Sequence, residues 1–212
     1  MNESIDGIFN ELKIKGLINR QRKLKPTNVF RNFCVIPFLN TIYYDSKLSE
    51  VSDNTIRFFL LHEEGHLVLK HSILKNMLMI IGIITFTLNL IWFSASSIIT
   101  TLYFNVNIFL ILLFVALFFS LFSTKLFATS LQLDEFIADV FAAEKIRDEF
   151  QNNQPSIIVK TAFNEIADFY ERIDKNCESN FLITIFSPLI EYHPTNQQRV
   201  ANVIYRVDER NR

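Results

Sequence analysis

LHEEGHLVLKH, residues 61–71, holds three of the four histidines in the chain, and the fold turns on how this stretch is read. His62 and His66 are four residues apart. On a helix that spacing stacks both imidazoles on one face, one turn apart, where they can share a single metal ion. Glu63 follows the first of them. In an H-E-x-x-H arrangement this carboxylate is not a ligand; it takes the proton of the attacking water and delivers it to the leaving amine. The metal lowers the pKa of water from 15.7 to roughly 7 and polarises the scissile carbonyl. The preceding residues favour a helix: Ser52, Asp53 and Asn54 offer a cap, and Ile56, Phe59, Leu60, Leu67 and Leu69 offer an apolar face free of proline.

A catalytic zinc takes three protein ligands and keeps one position open. His71 lies five residues past His66 with no intervening glycine, so H-E-x-x-H-x-x-G-x-x-H is not met and the ring turns off the ligand face. It reads as a surface or interface histidine. LQLDEFIADVFAAEK, residues 131–145, is the better source. Glu135 and Asp139 are four apart on a predicted helix, so Glu135 can complete a His/His/Glu site for one Zn2+ per chain. Asp139 can then accept a hydrogen bond from the far nitrogen of a ligand histidine. Asp134 and Glu144 compete, but neither pairs with another acid at this spacing across a small residue such as Ala138. In EIAD, residues 165–168, the acids are three apart within an amphipathic segment that reads as a solvated helix face.

Residues 76–124 contain no charged side chain. A helix crossing a bilayer needs ~20 apolar residues, and two such crossings fit at 76–97 and 104–123, separated by the polar SASSIITT and NVN. Lys70, Lys75 and Lys125 all sit at the outer ends, which places both termini and the active site on the cytoplasmic side of an integral membrane protein. A net charge of -1 gives no reason to expect nucleic acid. Cys34 and Cys177 belong to no Cys cluster and read as reduced thiols. The N-terminal segment MNESIDGIFNELKIKGLINRQRK has no apolar run of signal-peptide length. The expected organisation is α+β and mostly helical, with 1–72 and 125–212 forming a cytosolic domain around a hairpin at 73–124.

HEEGH, a hairpin, EFIAD and HPTNQQR, in that order over roughly residues 25 to 205, resemble the HtpX and CAAX prenyl endopeptidase family of zinc metallopeptidases. The resemblance implies a zincin-like, gluzincin fold with the transmembrane hairpin inserted between the zinc-ligand helices. It implies zinc on His62, His66 and Glu135, Glu63 as general base and Asp139 supporting a ligand. It also implies catalytic roles for His193 and Arg199 on the substrate side of the metal. CVIPFLNTIYYDSKL, residues 34–48, reads as two short strands; in the family this region is the sheet edge on which a substrate peptide lies, which points to Asn40, Thr41 and Ile42. Unlike HtpX-like enzymes, this chain has polar, mixed sequence before His62, so enclosing a chamber would require a homo-oligomer.

The expected function is a membrane-anchored zinc endopeptidase that cleaves unfolded or membrane-associated polypeptides at the cytosolic face. Two alternatives are a signalling protease for one regulator and a non-catalytic, zinc-stabilised module that binds a partner through residues 40–44. A purely structural zinc site has no use for Glu63, which weighs against the last.

Overall fold

In the computed structural model the described residues are 4–29, 31–36, 39–48, 51–68, 82, 84, 86, 92, 106–151, 154–173 and 194–209; between 106 and 127 only Phe114 and Lys125 are described beyond the backbone. Helix α1, Ile5–Ile14, starts at Ser4, whose hydroxyl accepts the Gly7 N–H at 3.1 Å. It stops at Gly16, where φ is +73° and the Gly16 and Leu17 N–H groups fold back onto the carbonyls of Lys13 and Leu12. Its buried face is Ile8, Phe9 and Leu12.

Strands β1 (Lys23–Thr27), β2 (Phe33–Ile36) and β3 (Thr41–Asp45) form one sheet in the order β1-β3-β2. β1 runs parallel to β3 and β2 antiparallel to it. Pro26 is tolerated because β1 is an edge strand. The substrate edge expected at Asn40, Thr41 and Ile42 is therefore corrected. Thr41 pairs with Lys23 on one side and Ile36 on the other, and Ile42 with Leu24 and Val35. The Asn40 carbonyl accepts the Lys23 N–H at 3.2 Å. A central strand with both ladders filled has no main-chain groups left for an added peptide.

Helix α2, Asp53–Val68, carries the histidine motif. Ser52 caps it, with its hydroxyl facing the Thr55 N–H at 3.4 Å and its carbonyl accepting the Ile56 N–H at 3.1 Å. Ile56, Phe58, Phe59, Leu60, Leu61 and Leu67 are all buried. A fully buried side chain such as Phe58 or Leu61 contributes about 1.5–3 kcal/mol. Phe59 stacks on Phe33 of β2, with centroids 6.0 Å apart, which seats α2 on the sheet.

Among the described residues the longer helices that follow are α3, Val106–Phe150; α4, Pro155–Ile173; and α5, Asn196–Val203, which leads into a π-helical turn at Ile204–Asp208. Contacts divide the chain into two compact units: Met1–Lys70 with Leu133–Asn180 and Pro194–Arg212, and His71–Gln132 with Phe181–His193. The first unit holds one hydrophobic core, built from α1, the sheet, α2, the second half of α3, α4 and α5.

Among the described residues no helix is long and apolar enough to cross a membrane. Of the first expected crossing, 76–97, only Gly82, Ile84, Phe86 and Trp92 are described; of the second, 104–123, the backbone is helical from Val106. His71, Cys177 and His193 lie outside the described residues.

Candidate metal centre

Two helices bring the expected ligands together. Gly65 of α2 faces Ala138 of α3: a Cβ on Gly65 would lie 3.2 Å from the Ala138 Cα and 3.2 Å from the Phe141 ring. With no side chain on one helix and a methyl on the other, the axes approach closely enough for His62, His66 and Glu135 to converge.

The two Nε2 atoms of His62 and His66 are 3.1 Å apart. Glu135 places Oε2 at 3.4 Å from the His62 Nε2 and Oε1 at 3.3 Å from the His66 Nε2. Zinc with ligand bonds of 2.0–2.1 Å in tetrahedral geometry separates its donors by about 3.3 Å. The three donors fit such an ion, and one tetrahedral position stays open. Among the described residues this is the group of His, Cys, Asp and Glu side chains close enough to hold a metal.

The Nδ1 of His62 lies 2.9 Å from Oδ1 of Asp139, which is fully buried. Donating Nδ1–H to this carboxylate leaves Nε2 facing the metal position. Burial works against a charged His62, but the hydrogen bonds to Asp139 and Glu135 and their charges outweigh it and hold the imidazolium up to about 10.

Arg199, in the first turns of α5, reaches the same cluster. Its Nε and Nη2 donate to Oδ2 and Oδ1 of Asp139 at 2.7 and 2.6 Å, and Nη2 lies 3.1 Å from Oε2 of Glu135. Burial disfavours its charge, but the Asp139 hydrogen bonds and the nearby carboxylates win and raise its pKa. The contacts of Nη2 with the His62 ring at 3.4 and 3.5 Å are packing, because Nδ1 already faces Asp139. Phe163 of α4 lies under the guanidinium at 4.4 Å. Thr195 caps α5: its hydroxyl accepts the Gln198 N–H while the Gln198 side chain accepts the Thr195 N–H.

Glu63 is buried beside His62 and His66, and burial is the main cause that raises its pKa, with the charges of those two histidines pulling the other way. Cys34 of β2 is a free thiol pushed up to about 11, first by burial and then by the charge of Glu63.

A sequence model described as "Peptidase family M48" matches residues 30–207. The chain belongs to peptidase family M48. No curated protein and no solved structure matches it. M48 enzymes are zinc metallopeptidases, so this chain is a metallopeptidase acting on polypeptides, and the donor set described above suits the metal its family uses.

Three contacts were not read from the sequence. Glu165 is partly exposed but does more than meet solvent: its Oε2 accepts from the Ser52 N–H and Oγ at 3.0 and 2.8 Å and from the Thr55 hydroxyl at 2.6 Å, tying α4 to the start of α2. Glu64, the second acid of HEEGH, is buried against Arg22. Phe163 supports Arg199. All three are long-range, and no local spacing announces them.

Proposed function

We propose that this M48 peptidase is a membrane-anchored, HtpX-like endopeptidase that hydrolyses unfolded or membrane-associated polypeptides at the cytosolic face. The observation that carries the catalytic part is the convergence of His62, His66 and Glu135 at zinc-like separations, with Glu63 adjacent. In this reading the three side chains hold zinc, which when bound acidifies water and polarises the substrate carbonyl. Glu63 moves the proton from water to the leaving amine. Asp139 fixes the His62 ring, and Arg199 holds Asp139 and Glu135 while offering positive charge where the oxyanion forms.

The substrate strand is assigned to the outer edge of β2, Phe33–Ile36. That strand is paired on one side only among the described residues, packs on α2, and places Cys34 within reach of the Glu63 charge. The anchor rests on the uncharged run 76–124 and on the exposed apolar side chains Ile84, Trp92 and Phe114.

Detergent-purified protein should degrade casein, and Glu63→Gln should lower the rate at least ~100-fold while keeping its metal. Equal cleavage by both would refute the assignment of Glu63. Membranes washed at alkaline pH should retain the chain; its release into the wash would remove the anchor from the proposal.

A further inference from the structure

Behind the catalytic helix lies a buried ion pair that the reaction itself does not use. Arg22 donates from Nε and Nη2 to Oε2 and Oε1 of Glu64 at 2.8 and 3.3 Å, and both residues are less than a tenth exposed. The Asn19 N–H adds a 3.4 Å contact to Oε1. The Arg22 end is itself held in three directions. Its N–H bonds the Asn19 carbonyl at 2.9 Å, its carbonyl accepts from Lys13 Nζ of α1 at 3.1 Å, and the next residue, Lys23, enters β1.

At about 100° per residue, Glu64 projects about 200° round the helix from His62 and about 160° from His66, on the side opposite the ligands. Gly65 against Ala138 and His62 against Asp139 fix the front of the same turn. A two-pronged bond from behind sets the remaining rotation and slide of α2, and with them the aim of Glu63. Arg22 and all of α1 and β1 fall before residue 30, outside the stretch matched by the family.

From this geometry we infer that Arg22, acting through Glu64, is a positioning residue for the peptidase site, and that the segment 4–29 is a working part of the catalytic unit. The inference rests on the metallopeptidase reading of His62, His66 and Glu135. A buried ion pair is weak evidence for stability, since apolar replacements of similar size are often neutral or better, so its directional role can be separated from its contribution to folding.

The test uses the full chain in detergent with Arg22 and Glu64 replaced together, Arg22→Met with Glu64→Leu, so that no lone charge is buried. Melting should stay near that of the parent, Co2+ affinity in competition with a chelator should fall about 10-fold or more, the Co2+ absorption spectrum should change, and kcat should fall with little change in KM. A folded double variant with parental Co2+ affinity, spectrum and kcat overturns the inference. If that variant does not fold, Arg22→Lys carries the test: an ammonium cannot make the two-pronged bond, so the same changes appear in smaller measure, and parental values overturn it. If the parent binds no Co2+, the peptidase reading falls, and amide exchange over residues 60–66 decides the clamp: faster exchange in the double variant supports it, unchanged exchange refutes it.

Discussion

Gly65 and Ala138 show what single residues contribute to this site. Alanine is ordinarily ~1 kcal/mol better than glycine in a helix interior. At position 65 the added methyl would press to 3.2 Å on the Ala138 backbone and the Phe141 ring. Overpacking of this kind costs about 1–3 kcal/mol, so Gly65→Ala should lower the melting temperature and weaken metal binding by separating α2 from α3. A thermal melt decides it; a higher melting temperature would mean that the close approach does not limit the helix pair. The glycine of HEEGH and the alanine of EFIAD are thus a contact pair that brings the candidate metal-binding side chains together.

At the scale of elements, α4 backs the site through both Phe163 and Glu165. Three hydrogen bonds from Ser52 and Thr55 outweigh the effect of burial and hold the Glu165 carboxyl below its usual value. A carboxyl depressed in the folded state adds stability above its unfolded pKa and loses it as pH falls through the folded value. Glu165→Gln should therefore melt lower than the parent at neutral pH, by no more than about 1 kcal/mol because the group is partly exposed. The gap should close in acid, below the ordinary glutamate range; melts across pH that show a constant gap would contradict it.

The same elements show what the sequence could and could not display. α2 was legible because a Ser cap precedes an unbroken apolar run, and β2 and β3 because their residues are β-branched and aromatic. β1 was not, because KLKPT is polar and holds a proline, and nothing local signals that it completes a sheet. Missing β1 is also what made β3 look like an edge. The convergence of His62, His66 and Glu135 was foreshadowed by the i,i+4 spacings of His62 with His66 and of Glu135 with Asp139, which are local to each helix. Arg22 with Glu64, and Glu165 with Ser52, pair across 42 and 113 residues and leave no periodic trace.

At the scale of the whole molecule, one unit gathers the N-terminal segment, the first ligand helix, the second half of α3 and the C-terminal helices around a single core. The candidate ligands come from chain segments far apart in sequence, so they converge only when this unit is folded. Metal binding and folding are accordingly linked, and loss of one ligand should be felt as loss of the ion. The most direct measurement is the metal content, by elemental analysis, of the detergent-purified parent and of Glu135→Ala. About one zinc per parent chain and essentially none in the variant is the expected result. A variant that keeps its full complement, or a parent that binds no metal, would contradict it.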